Sequence, residues 1–168
     1  METNPQIIQK LAEQKSDENW QFRSFLKNLD MSPKELDTIV QQIYENVEPQ
    51  IDCKQCANCC AESIPLLNHS DISKCAAGLN IPIAKFKEQY LMAAEHQGEY
   101  TFKQRPCPFL NNNLCTIYDF RPSDCMSFPH LHKKDFVFRL IGVVENTTIC
   151  PIAYHVYEQL KSELWNKY

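Results

Sequence analysis

Four cysteines fall within eight positions at residues 53–60, CKQCANCC, the densest concentration of reactive side chains in the chain. Thiols this close together can be disulfides, metal ligands or nucleophiles. The chain carries nine cysteines, an odd number that leaves one over from any full pairing. Its N-terminus, METNPQIIQKLAEQ, lacks the basic start, apolar stretch and small-residue cleavage site of a secretory signal. A cytoplasmic setting is therefore expected, and there thiols are kept reduced and cysteine clusters hold metals or do catalysis more often than they form disulfide frameworks.

Spacing sharpens the metal reading. Cys53, Cys56 and Cys59 form C-x2-C-x2-C, which can turn three sulfurs toward one point. The iron–sulfur run C-x2-C-x2-C-x3-C-P opens in the same way, but Ser63 stands where its fourth cysteine would be. A fourth ligand must come from farther along the chain. Cys107 and Cys150 are each followed by proline, as that fourth cysteine is. Cys59 and Cys60 are expected to face different ways unless the backbone turns sharply between them, because adjacent side chains of an extended segment point to opposite sides. Cys53, Cys56, Cys59, Cys60, Cys107, Cys115, Cys125 and Cys150 make eight, enough for two sets of four, with the division between sets open. At the least, Cys53, Cys56, Cys59 and one of the later four are expected to share a centre. Cys75 differs, lying in DISKCAAGLN in step with Ile72 and Leu79, where a cysteine packs as a small hydrophobe.

The elements that must position these thiols can be read from periodicity. The first fifty residues are expected to be helical: Phe22, Phe25, Leu26 and Leu29 share one face, and Ser32, Pro33 and Glu35 start a second helix with a capping box. Leu36, Ile39, Val40, Ile43 and Val47 form its stripe until Pro49 ends it. Helices are expected from Asp71 to Leu79, from Pro82 to about His96, and from Pro151 with Ile152, Val156, Leu160 and Leu164 on one stripe. Tyr100–Gln104 alternates like a short strand, FLNNNLCTIY suits a hairpin because asparagine tolerates a tight turn, and Phe136–Val144, rich in β-branched and aromatic residues, is expected to be a strand. The expected fold is mainly α with a small antiparallel β hairpin or sheet, and irregular cysteine-rich loops around one or two metal centres. Residues 1–50 would form an N-terminal helical region and 51–168 a cysteine-cluster metal-binding domain, together one compact unit.

Downstream of CKQCANCC stands CPFLNNNLCTIYDFRPSDCMSFP, and then Cys150-Pro151. The combination resembles the YkgJ-like cysteine-cluster family, which carries the signature CxxCxxCC and is associated with chelation of zinc or iron. The resemblance runs from Cys53 to about Pro151. It implies that the eight cysteines named above are the metal ligands, and it matches Tyr118, Arg121, Pro122, Phe128 and Pro129 to the family's IY..RP..C..FP segment. The chain departs from the pattern at Met126, where the family commonly has arginine, and in carrying Cys75 as an extra cysteine.

Residue chemistry supports the downstream segment independently. Pro122 suits the first turn of a helix and Asp124 complements its dipole, so Cys125 is expected near a helix N-terminus with a depressed pKa. Arg121 can donate hydrogen bonds around a cluster or form a surface salt bridge. His130 and His132, two apart, could approach a metal, although a thiol-rich set does not require imidazole. Three functions follow: an iron–sulfur protein in electron transfer, redox sensing or metal handling; a structural zinc module mediating protein interaction; or a thiol-dependent enzyme using Cys60 or Cys125. Paired CxxC zinc knuckles are missing, and no nucleophile signature surrounds either cysteine. A protein partner is compatible with all three. A formal charge of −4 without a basic run excludes an electrostatic footprint for nucleic acid, and no apolar run approaches the length of a membrane span.

Overall fold

Ser32 Oγ accepts the Glu35 N–H at 3.3 Å and the Glu35 carboxylate accepts the Ser32 N–H at 3.0 Å, so the capping box expected at MSPKEL is present. Helix α3, Pro33–Val47, starts there and buries Leu36, Val40, Ile43 and Val47. It is preceded by α1, Pro5–Gln14, and α2, Ser16–Asn28, and followed by a 3-10 turn, Glu48–Gln50. The computed structural model describes residues 1–95 and 98–165. The chain divides into two compact units, Met1–Cys56 with the chain from Pro129 onward, and Ala57–Phe128.

The first unit is helical. After α3 come the single turn α4, Cys53–Cys56, then from Pro129 onward a 3-10 turn, Phe136–Arg139, and the helices that follow it in chain order. Those helices are Leu140–Asn146 and Pro151–Leu164, which become α9 and α10 once the second unit's helices are counted. The Pro151–Leu164 helix lies against α3 and α1, burying Ile152, Val156, Leu160 and Leu164 as the stripe requires. Tyr157 meets Phe22 edge-on with ring centres 5.2 Å apart, and its hydroxyl donates to the Asn19 carbonyl at 3.0 Å.

The second unit mixes short helices and hairpins: α5, Asn58–Glu62; α6, His69–Gly78; α7, Ile83–Tyr90; and α8, Ser123–Ser127. Strands β1, Leu91–Ala93, and β2, Tyr100–Phe102, pair antiparallel with Leu91 opposite Phe102. Strands β3, Leu110–Asn111, and β4, Leu114–Cys115, form the expected asparagine hairpin. Asn112 and Asn113 both take positive φ, 49° and 60°, at its turn. The core gathers Leu67, Ile72, Cys75, Phe86, Phe102, Phe109 and Ile117.

Two expectations are corrected. Phe136–Val144 is a 3-10 turn running into a helix, with Phe136, Leu140, Val143 and Val144 buried and Phe138 77% exposed. Burial at i, i+4, i+7 and i+8 is helical, and a strand would have buried Phe138 along with Phe136. The helix expected from Pro82 to about His96 ends at Tyr90, and Leu91–Ala93 becomes a strand because β2 supplies a ladder partner, so pairing overrides the helix preference of LMAAE. His96 itself lies outside the described residues.

Candidate metal centres

The thiols are shared between the units. Cys53, Cys56 and Cys150 belong to the first; Cys59, Cys60, Cys107, Cys115 and Cys125 belong to the second. No disulfide joins any of the nine cysteines.

In the first unit, Asp52 starts α4: its carboxylate accepts the Lys54 N–H at 2.9 Å and its carbonyl accepts from Gln55 and Cys56, each at 3.1 Å. Residues three apart share a helix face, so this one turn aligns Cys53 with Cys56. Cys150 is the N-cap residue of α10, with Pro151 at the first helical position. Burial pushes the Cys150 thiol up to about 12; the backbone N–H groups of Ala153 and Ile152 oppose that rise, and the charges of Cys53 and Cys56 add to it. Tyr44, raised by burial and by Glu48, also feels Cys53 and Cys150. Exposed His132 lies beside Tyr44 with ring centres 6.0 Å apart, while His130 adopts a left-handed backbone and its carbonyl accepts from Arg139 at 2.7 Å.

In the second unit, Ala57, at φ 48°, leads into α5, which carries Cys59 and Cys60 one helical step apart rather than on opposite sides of an extended segment. The Cys59 thiol hydrogen-bonds Cys60 and draws it down to about 7 against the effect of burial, with the Arg121 guanidinium assisting. The Cys107 N–H donates to the Cys60 carbonyl at 2.8 Å, which holds the two segments together. Burial raises Cys107 to about 11, opposed by the backbone N–H groups of Phe109 and of Leu110, the latter bonded to the Cys107 carbonyl at 3.0 Å. Across the hairpin, Cys115 stands opposite Leu110, its thiol likewise raised by burial, with the Ile117 backbone N–H opposing that rise. Cys125, on α8, is raised far above the ordinary thiol range by burial and then by the charges of Cys107, Cys60, Asp124 and Cys115. The depressed pKa expected for Cys125 is thus reversed: α8 is a single turn, too short for a strong dipole, and Asp124 beside it repels a second negative charge.

Cys60, Cys107 and Cys115 each act electrostatically on others of the four and Cys125 feels all three, while backbone N–H groups two or three residues downstream oppose the rise of the Cys107, Cys115 and Cys150 thiols. Amide donors aimed at sulfur stabilise thiolate, the form that binds metal. This donor chemistry fits a soft metal or an iron–sulfur cluster. Among the described residues, no three His, Cys, Asp or Glu side chains form a closed metal-holding group. The fit is therefore one of donor type. Arg121 caps this region with its guanidinium 3.7 Å from the centre of the Tyr118 ring, donating to the Tyr118 carbonyl at 2.6 Å. Cys75 is fully buried, and its thiol donates to the Phe120 carbonyl at 3.3 Å, a core role as expected.

Sequence reasoning missed Asp71, a buried carboxylate that meets Ser123, 52 residues away. The spacing Asn68-x-x-Asp71 signals its capping role, but nothing in the sequence signals the distant contact.

A family model described as "Putative zinc- or iron-chelating domain" matches residues 52–150, more than half of the 168-residue chain. The chain belongs to this CxxCxxCC family of metal-chelating domains. No curated protein and no solved structure matches it. Among the described residues, no helix is long and apolar enough to cross a membrane.

Proposed function

We propose that this protein holds iron as an iron–sulfur centre on the thiolates of Cys60, Cys107, Cys115 and Cys125, and that Cys53, Cys56 and Cys150 belong to a second thiolate group. Cys59 sets the protonation of Cys60. The observation that carries the reading is the backbone that ties these cysteines together: the Cys107 N–H donates to the Cys60 carbonyl at 2.8 Å, and Leu110, whose N–H donates to the Cys107 carbonyl at 3.0 Å, pairs with Cys115 across the hairpin. Loaded, such a centre would supply one-electron redox chemistry, and the chain's own residues would fix the sulfurs, exclude water and balance charge through Arg121. In a cytoplasmic setting its exchange partner would be another protein. A zinc ion on the same four thiolates is the second reading, favoured by the family description, which names both metals.

Anaerobic purification with iron, zinc and acid-labile sulfide measured on one sample tests this. Iron with sulfide and broad visible absorption is expected, with both reduced in Cys107→Ser. Zinc at a fixed ratio without sulfide selects the second reading, and folded protein without metal overturns both.

A further inference from the structure

Helix α8, which carries Cys125, has five residues and no side-chain cap of its own. One turn is too short to persist unaided. Its start is tied down by two carboxylates, Asp71 from outside the helix and its own Asp124. Asp71, only 5% exposed, accepts the Ser123 N–H at 2.9 Å and the Ser123 hydroxyl at 3.0 Å, and the same side chain accepts the Asn68 N–H at 3.2 Å at the head of α6. Asp124 reaches the other way and accepts the Leu66 N–H at 3.1 Å. The two residues before Cys125 are thereby tied to the segment 66–71. A buried carboxylate is tolerated only when its hydrogen bonds are filled, and here two of its three donors belong to Ser123.

We propose that Asp71 is a positioning residue for the second unit's thiolate centre, fixing the start of α8 so that Cys125 can join Cys60, Cys107 and Cys115 as a ligand; this rests on the four-thiolate reading above. Cysteine has one rotatable side-chain bond, so the placement of its backbone decides where its sulfur can reach, and binding constellations tolerate errors of only about 0.5 Å. Helix α6 keeps other anchors without the carboxylate: the Cys75 thiol donates to the Phe120 carbonyl, and Gly78 lies directly under the Phe120 ring. Asp71→Asn is therefore expected to fold.

The test is anaerobic Co(II) titration of the full chain, following thiolate-to-cobalt charge-transfer absorption, with far-UV circular dichroism as the fold control. Asp71→Asn is expected to weaken cobalt binding by about 10–100-fold, as outer-shell substitutions do, and to lower charge-transfer intensity as Cys125→Ser does. The double variant is expected to lose no more than Cys125→Ser alone, because both remove the same ligand. A merely structural role would give additive losses. Ser123→Ala, which removes one donor and leaves the α6 cap intact, is expected to shift binding in the same direction by less, and it serves if Asp71→Asn fails to fold. Wild-type affinity and intensity in Asp71→Asn or in Ser123→Ala, or additivity with Cys125→Ser, overturns the inference. A wild-type protein that takes up no cobalt removes the four-thiolate reading, and the inference with it.

Discussion

Cys75 is separated from the other eight cysteines by its surroundings. It packs among Leu67, Ile72 and Phe86 and spends its one donor on the Phe120 carbonyl. Cys75→Ala is expected to cost about 1 kcal/mol in urea unfolding and to leave metal content unchanged, whereas Cys115→Ala is expected to lower metal content. Ala57 presents a different residue-scale case. Its φ of 48° is left-handed backbone that costs an alanine about 1 kcal/mol and a glycine little. Ala57→Gly is expected to leave stability unchanged or raise it by up to about 1 kcal/mol, measured by thermal unfolding. The helical turn at Cys59 and Cys60 was hidden in the sequence because four cysteines in eight positions follow no helical period, and the turn depends on this one backbone angle.

At the scale of elements, long amphipathic helices were plain in the sequence and short ones were not. Helices α3 and α10 bury the stripes their spacing dictates. Phe136–Val144 combined strand-forming residue types with helical spacing, and the spacing won because burial, not propensity, decides. Strand β1 could not be read from its own residues, since its conformation is imposed by β2. Tight approach between elements is also invisible in a sequence. A Cβ on Gly78 would lie 2.4 Å from the Phe120 ring, so α6 reaches the Tyr118–Phe120 turn only through a glycine. Gly78→Ala is expected to destabilise the protein by about 1–3 kcal/mol through overpacking and to lower metal content, because that turn leads directly to Arg121 and α8.

On the scale of the whole molecule, which cysteine belongs to which unit could not be read from spacing, because Cys150 joins Cys53 and Cys56 only through the packing of α10 on α3. The same helix carries Lys161, whose side chain is 7% exposed and bonds Glu18 and Glu158, each at 2.6 Å; Lys15 also pairs with Glu158. The Lys161 hydrogen bond holds the Glu18 carboxyl below its ordinary value. Its contribution is therefore present above about pH 4.3 and is lost as pH falls through the lowered folded value. The Glu158 hydrogen bond holds Lys15 above its ordinary value, so that contribution is present below about pH 10.4 and is lost as pH rises further. Glu18→Gln is expected to flatten the acid limb of stability. Lys161→Met is expected to cost about 2 kcal/mol at pH 7, less than the about 3–5 kcal/mol of a fully buried pair because Glu18 stays half in water. Tryptophan fluorescence checks both, since Trp20 and Trp165 belong to this unit.

The interruption of the first unit between Cys56 and Pro129 sets an order of assembly during synthesis. Synthesis makes the intervening segment, with Cys60, Cys107, Cys115 and Cys125, while the earlier helices still await α10. Cys150 is made after all of them, so the three cysteines of the first unit, Cys53, Cys56 and Cys150, are the last to be complete.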